Sequence, residues 1–125
     1  MIVKYSLGLD VSSKDIKACL TTIDHHQHVK VKSSKTILNS QKGMNELLTW
    51  IEKWYSDSEI PLSVCMEATG VYHENCAYFL YDKGFDVSIV LPNKAKKYLQ
   101  AIGIKSKNDT IDAKGLAQMG AEQKL

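Results

Sequence analysis

The chain opens with a strict alternation of apolar and polar residues. From Tyr5 to Val11 the apolar side chains fall on every second position, and Asp10 lies on the opposite, polar side. A period of two is typical of a β-strand with one buried face. Residues 16–23 and 29–36 have the composition of two more strands, joined by a polar turn. The first 36 residues therefore predict an antiparallel meander of three strands.

A helix with apolar residues at i, i+3, i+4 and i+7 spacing follows the meander. Asn39 or Ser40 can cap its first turn. The apolar stripe consists of Met44, Leu47, Leu48, Ile51, Trp54 and Tyr55. Such a stripe is typical of a helix that packs against a sheet, so we interpret it as core and not as a cofactor site.

Two further strands and a helix between them come next. Residues 62–66 form a short apolar run that ends at Glu67. We expect a second helix to begin at Thr69–Gly70 and to end at Gly84, before a strand over residues 85–91.

The pattern then predicts two helices at the end of the chain. One begins at Pro92 and ends at Gly103, and the other is capped by Asp109 and contains Asp112. The full order is βββ-α-β-α-β-α-α, whose helical crossovers must be right-handed and should place strands four and five parallel to strand one. The predicted fold is α/β, a five-stranded mixed sheet of order 3-2-1-4-5 flanked by helices, in which Asp10 and Glu67 lie on adjacent strands.

Length and composition indicate one ordinary globular domain. The chain has 125 residues, of which 44% are hydrophobic and 24% charged. It contains no stretch long and apolar enough for a membrane span, and its start lacks the features of a signal peptide, so we expect a cytoplasmic protein. Three cysteines with no common short spacing suit small buried side chains in a reducing compartment. The histidines at 25, 26 and 28 are interpreted as a solvated turn and not as a ligand set.

Charge is distributed unevenly along the chain. Residues 1–93 hold nine lysines and eleven acidic residues, whereas residues 94–125 hold seven lysines and three acidic residues. The basic end is where a polyanion would bind. The candidate nucleic-acid contacts are Lys94, Lys96, Lys97, Lys105, Lys107 and Lys114. All sixteen basic residues are lysine, so any contact with nucleic acid should favour the backbone over the sequence.

Four carboxylates are candidates for a metal site. Phosphoryl transfer on nucleic acids uses two divalent cations about 3.5–4 Å apart, which require three or four carboxylates gathered in one place. Asp10 and Glu67 can meet where their strands are neighbours, and Asp109 and Asp112 share one face of a helix at i, i+3 spacing. Taken one by one, these acids are better explained as a helix cap, a first-turn residue and two polar strand ends.

Three short motifs connect these acids to a known family. The segments Gly-Leu-Asp10-Val-Ser-Ser-Lys, Met-Glu67-Ala-Thr-Gly-Val-Tyr and Lys-Asn-Asp109-Thr-Ile-Asp112-Ala resemble, in order and spacing, the DEDD transposases of bacterial insertion sequences. That family includes Piv-type DNA invertases and recombinases guided by a bridge RNA. The resemblance implies a RuvC-like, RNase H-like fold in which Asp10, Glu67, Asp109 and Asp112 are catalytic and bind Mg²⁺ or Mn²⁺.

The resemblance also implies partners and a further domain. It implies DNA cleavage and rejoining, a guide RNA in the full protein, and a homo-oligomeric full-length protein. Family members carry a C-terminal domain with a nucleophilic serine, so residues 1–125 are expected to be the RuvC-like domain alone and not to recombine DNA unaided. Ser12 and Ser13 are interpreted as turn residues and not as that nucleophile.

Three other functions are compatible with parts of this sequence pattern. Actin-like ATPases and sugar kinases also open with an Asp-bearing strand, but Asp10-Val-Ser-Ser lacks the glycine that lets backbone amides approach a phosphate, and the chain is too short for their two halves. A Holliday-junction-resolvase-like nuclease and a non-catalytic nucleic-acid-binding module remain as alternatives. Metal binding separates the recombinase from the binding module.

Overall fold

The structure is a computed structural model that describes residues 1–55, 59–68, 70–101 and 113–122. Its elements are β1 (Ile2–Val11), β2 (Asp15–Asp24), β3 (Val29–Leu38), α1 (Gln41–Trp54), β4 (Leu62–Glu67), α2 (Glu74–Asp82), β5 (Asp86–Val90), α3 (Pro92–Ala101) and α4 (Ala113–Glu122). Their order is the one that the sequence predicts.

The five strands form one mixed sheet. Its order is β3-β2-β1-β4-β5, with β2 antiparallel to both β1 and β3. Strand β4 runs parallel to β1 and to β5. The predicted α/β sheet of order 3-2-1-4-5 is therefore confirmed, including the parallel strands that the helical crossovers require.

Helices cover both faces of this sheet. On one face the main core joins residues of β1, β2 and β4 to the apolar sides of α1 and α2, with Leu7, Leu20 and Leu47 fully buried. On the other face α4 lies across β1, β2 and β4. Helix α3 packs beside it through a second cluster that includes Tyr98 and Leu116. We call these two surfaces the α1 face and the α4 face.

Helix α1 begins where a cap was expected, but its buried side is rotated relative to the predicted stripe. The Ser40 side chain accepts a hydrogen bond from the Gly43 amide at 3.1 Å. Trp50 is buried and donates its indole N–H to Ser33, whereas Trp54 is only half-buried. The buried side of the helix is therefore centred closer to Trp50 than the sequence pattern indicated.

Helix α2 begins later than predicted. The expected start at Thr69–Gly70 is wrong because Gly70 has a φ of 61°, a left-handed conformation that cannot lie inside a right-handed helix. A turn follows, and the helix begins at Glu74.

The two C-terminal helices agree with prediction over the residues that are described. Helix α3 begins at Pro92, and α4 begins at Ala113. Gly103, the predicted end of α3, and Asp109, the predicted N-terminal cap of α4, lie outside the described residues. Within the described ranges, no helix is long and apolar enough to cross a membrane.

Candidate metal centre

Asp10 and Glu67 lie at the carboxyl ends of two adjacent parallel strands. Leu9 of β1 pairs with Met66 of β4, and Asp10 and Glu67 are the next residues along these strands. Since side chains alternate between the faces of a sheet, the two acids share the face opposite Leu9 and Met66. Neighbouring strands lie about 4.8 Å apart, so the two carboxylates are close neighbours.

The surroundings of this pair are partly solvated. Asp10 and Glu67 are both half-buried. Across the sheet, Asp10 pairs with Lys17 of β2 and Glu67 pairs with Val90 of β5. The acids therefore have a lysine on one flank and a valine on the other, while solvent can still reach them.

Helix α4 approaches the same end of the sheet. A Cβ added to Gly8 would lie within 3 Å of the Ala113 carbonyl oxygen and the Ala117 amide nitrogen, so the first turn of α4 is in contact with β1 two residues before Asp10. At the other end of the helix, Lys4 donates a hydrogen bond to the Gly120 carbonyl at 2.6 Å. Helix α4 thus runs antiparallel to β1, with its positive N-terminus toward Asp10.

The other two predicted acids lie outside the described residues. Asp109 and Asp112 immediately precede Ala113, the first residue of α4, in the sequence. In the part of the chain that is described, no group of three histidine, cysteine or acidic residues could hold a metal. The described part of the candidate centre is thus the pair of Asp10 and Glu67.

The donor chemistry of this pair suits a hard divalent cation. Mg²⁺ takes carboxylate oxygens and keeps several waters, so it is commonly held by one or two carboxylates in a partly solvated position. Two half-buried acids on adjacent strands offer that kind of site. The residues present therefore fit the predicted ion.

One side chain connects the loops around this end of the sheet. The Asn39 amide nitrogen donates to the carbonyl oxygens of Ser12, at 2.8 Å, and Tyr72, at 3.1 Å, and the Asn39 backbone N–H donates to the Lys14 carbonyl. The loop after β1, the start of α1 and the turn after β4 are thereby joined. Sequence analysis missed this role because Asn39 was considered only as a helix cap.

Ser12 has the structural role that the sequence indicated. Its hydroxyl donates to the Asp15 carboxylate at 2.9 Å and accepts from the Asp15 amide at 3.2 Å. The interpretation of Ser12 as a turn residue is therefore confirmed.

The candidate nucleic-acid lysines do not lie together. Lys94, Lys96 and Lys97 are exposed on α3. Lys114 is exposed on α4 and lines a groove toward β2 and β3, on the side of α4 away from α3. Lys105 and Lys107 lie outside the described residues. The described lysines of this sequence stretch therefore lie in two groups, one on α3 and one on the side of α4 that faces away from α3.

The histidine-rich segment forms a tight turn between β2 and β3. The Asp24 carboxylate accepts hydrogen bonds from the backbone amides of His28 and His26, at 3.0 and 2.9 Å. These bonds, that of His28 foremost, hold the pKa of Asp24 below its usual value. The carboxylate stabilises the turn, as the interpretation of a solvated turn requires.

The three cysteines are buried, and two of them titrate unusually. Burial raises the pKa of the Cys65 thiol to about 11 and that of Cys76 to about 12. Both thiols should therefore remain protonated in the folded protein at neutral pH. In the unfolded chain they should ionise near their ordinary pKa of 9.0.

These thiols predict a loss of stability in alkali. Above pH 9 the unfolded chain releases thiol protons that the folded chain keeps, so the free energy of unfolding should fall as the pH rises. We expect a decline of about 1.4 kcal/mol per pH unit for each thiol between pH 9 and the folded pKa values. Urea unfolding at a series of pH values measures it. A Cys65→Ala, Cys76→Ala variant should show a flatter profile, and an equally steep one would contradict the prediction.

The family of this chain follows from its match to a model of a known protein family. A model of the transposases of IS110 type with the DEDD signature matches residues 7–125. The chain belongs to this transposase family. Pilin gene-inverting proteins of Moraxella lacunata and Moraxella bovis are each 32% identical to it over 120 residues, which is 96% of this chain and 35% of each relative. The resemblance to DEDD transposases and invertases is confirmed, and the chain spans about a third of the length of these relatives.

Solved structures of low sequence identity share the fold of this transposase-family chain. RuvC of Thermus thermophilus, solved in complex with a Holliday junction substrate, superposes with a TM-score of 0.64 at 11% identity, covering 94% of this chain and 93% of that one. The fowlpox virus resolvase in complex with Holliday junction DNA gives a TM-score of 0.57 at 13% identity, covering 98% and 97%. The RNase H-like, RuvC-like fold is confirmed.

Proposed function

We propose that residues 1–125 form the metal-binding catalytic domain of a DNA transposase or recombinase that cuts and rejoins DNA strands. The observation that carries this proposal is the position of Asp10 and Glu67 on adjacent strand ends, with the N-terminus of α4 directed toward them. Asp109 and Asp112 precede that helix in the sequence and are proposed as the remaining two acids.

In this proposal the residues of the chain have distinct tasks. Asp10 and Glu67 hold divalent cations from the sheet, and Asp109 and Asp112 hold them from the segment before α4. The helix N-terminus lowers the cost of bringing several carboxylates together. When bound, Mg²⁺ or Mn²⁺ supplies Lewis-acid stabilisation of the charge that develops on the phosphoryl oxygens.

The substrate, guide, oligomeric state and nucleophile in this proposal concern the full-length protein. The names of the Moraxella relatives describe inversion of a pilin gene, which supports DNA as the substrate. We further propose a structured bridge RNA as guide, homo-oligomerisation in the cytoplasm, and a serine nucleophile supplied by sequence beyond this domain. Lys94, Lys96 and Lys97 on α3, together with Lys105, Lys107 and Lys114, are proposed to contact the nucleic-acid backbone.

Metal-dependent stabilisation tests the proposed centre. A cation that binds only the folded chain stabilises it by mass action, by about 1.4 kcal/mol at ten times its Kd. Mg²⁺ or Mn²⁺ should therefore raise the Tm of the wild-type domain, measured by calorimetry across a metal titration. The shift should disappear in Asp10→Ala and in the more conservative Asp10→Asn.

A matched substitution keeps this test specific. Asp86 is an exposed acid at the start of β5, at the opposite end of the parallel strands from Glu67, so Asp86→Asn should leave the metal response intact. If the Tm shift were the same in the wild type, Asp10→Asn and Asp86→Asn, the cation would be acting at other sites and the proposed centre would be wrong.

A junction-resolving nuclease is a second candidate function. The structural similarity to two proteins solved with Holliday junctions favours it. The two functions differ in product: a resolvase releases nicked duplexes from a four-way junction, whereas a recombinase rejoins strands to new partners. Metal-dependent cleavage of a labelled four-way junction by this domain alone would favour the resolvase.

A further inference from the structure

An open groove runs along the α4 face between α4 and the edge strand β3. Its larger part has a volume of about 470 Å³ and its smaller part about 210 Å³, and both are bordered by Val31 and Lys114. The groove extends from Lys17 to Thr21 on β2, a distance of roughly 13 Å at the rise of an extended strand. It is therefore a continuous trough along one side of the helix.

Two lysines from two different elements line this trough. They are Lys17 of β2 and Lys114 of α4. The side chain of Lys35 alternates to the α1 face, where it borders the surface of α1. Among the described lining residues no side chain is acidic, and the exposed Ser34 and Thr36 provide hydroxyl groups. The groove thus offers positive charge and hydrogen-bond donors to one ligand.

The position of the groove relates it to the candidate metal centre. Lys17 is the cross-strand partner of Asp10, so the trough begins beside the carboxylate pair. Helix α3, with its own lysines, lies on the far side of α4. A chain of negative charges in the groove would consequently reach Asp10 from the side opposite to α3.

The chemistry of the lining indicates the class of ligand. Lysine ammonium groups act as point charges that contact phosphates without reading bases, and hydroxyl groups commonly donate to phosphate oxygens. Val31 is 47% exposed and provides an apolar surface for a sugar or a base. A volume of 470 Å³ is of the size that encloses one drug-like molecule, so the trough accommodates a nucleotide or two and not a duplex.

We propose that this groove binds the backbone of a single nucleic-acid strand and guides it to Asp10, an inference that rests on the proposed function. Lysines on an edge strand have another use, since they prevent pairing between the edges of two sheets. That use accounts for the lysines of β3. It does not account for Lys17 and Lys114, which lie on β2 and α4 and border the same trough.

Three charge-matched variants test the proposal. The groove variant is Lys17→Gln, Lys114→Gln. The control variant, Lys42→Gln, Lys53→Gln, alters exposed lysines of α1 outside the groove. The third, Lys94→Gln, Lys97→Gln, alters α3. Fluorescence anisotropy with a labelled oligothymidylate, in EDTA and across a salt series, measures affinity, and an unlabelled hairpin duplex serves as competitor.

The groove variant should lose on the order of tenfold in affinity at low salt. Its log–log salt slope should become shallower by about 1.4, because each of the two phosphate contacts with a single strand contributes about 0.7. The control variant should change affinity by less than about twofold, since screened charges elsewhere contribute little. Equal losses in the groove and control variants, or tighter binding of the duplex than of the single strand, would overturn the proposal.

A footprint on the wild-type protein gives a result that does not depend on folding of the variants. Acetylation of lysines with and without oligothymidylate, read by mass spectrometry, should show protection of Lys17 and Lys114 but not of Lys35, Lys42 and Lys53. Absence of protection would contradict the proposal. The metal-induced Tm shift is measured independently of this footprint. If the wild-type protein showed lysine protection but no Tm shift with metal, the proposed metal centre would be wrong and the proposed single-strand binding would still be supported.

Discussion

Gly8→Ala is expected to lower the free energy of unfolding by about 3 kcal/mol, because an added methyl group has no room between β1 and α4. The atoms it would meet are the backbone oxygen of Ala113 and the backbone nitrogen of Ala117, which cannot rotate away. Overpacking a core typically costs about 1–3 kcal/mol, and backbone obstruction belongs at the upper end. Thermal unfolding should show a decrease in Tm of roughly 10 °C.

The same substitution should also weaken the metal response. Displacing the first turn of α4 moves the helix N-terminus away from Asp10, so Gly8→Ala should require more Mg²⁺ for the same Tm shift. Gly120→Ala is the matched control at the other end of the helix. There the added Cβ meets the Ser6 hydroxyl oxygen at 2.6 Å, which can rotate away, and the Cys65 Cβ at 3.3 Å, which needs to shift by only a few tenths of an ångström.

Gly120→Ala should therefore change stability by less than about 1 kcal/mol, since the higher helix propensity of alanine offsets part of the crowding. Its metal response should equal that of the wild type. If Gly8→Ala and Gly120→Ala behaved alike in both measurements, the close approach at Gly8 would not position the helix at the metal centre.

Asn39→Ala should lower the free energy of unfolding by about 2 kcal/mol, because two side-chain hydrogen bonds are lost and each contributes about 0.5–1.5 kcal/mol. Asn39→Asp should cost a similar amount, since a carboxylate cannot donate to the Ser12 and Tyr72 carbonyls. Both variants loosen the loops that follow Asp10 and Glu67. We expect them to weaken Mg²⁺ affinity severalfold, measured by titration calorimetry.

Asn45→Ala provides the matched control for Asn39. Asn45 is exposed on α1, where its side chain accepts a long hydrogen bond from Gln41, at 3.4 Å. This variant should match the wild type in stability and in metal affinity. An Asn39→Ala variant that behaved like Asn45→Ala would show that the loops keep their positions without the asparagine.

The sheet and the placement of two acids could be predicted from local patterns and one topological rule. The alternation from Tyr5 to Val11 fixes the side of β1 on which Asp10 lies, and the right-handed crossover makes β4 parallel to β1. Together they place Glu67 beside Asp10. Both inferences depend on periodicity and chain order, which a single sequence displays.

Other features depend on contacts between distant parts of the chain and could not be predicted in this way. The late start of α2 follows from the left-handed conformation of Gly70, which the sequence permits but does not require. Which side of a helix is buried depends on its rotation about its axis, so Trp50 was missed. For the same reason Lys114, near the α3 lysines in sequence, lies in a groove on the other side of α4.

The docking of α4 on β1 fixes when the candidate metal centre can assemble during synthesis of the chain. The bond from Lys4 to Gly120 joins residues 116 positions apart, whereas the three strands of the meander can pair as soon as they leave the ribosome. Translation adds residues far more slowly than strands and helices form. A nascent chain therefore carries Asp10 for most of its synthesis without the helix that lies beside it. The candidate metal centre therefore reaches its described geometry only after α4, the ninth element described, has been synthesised.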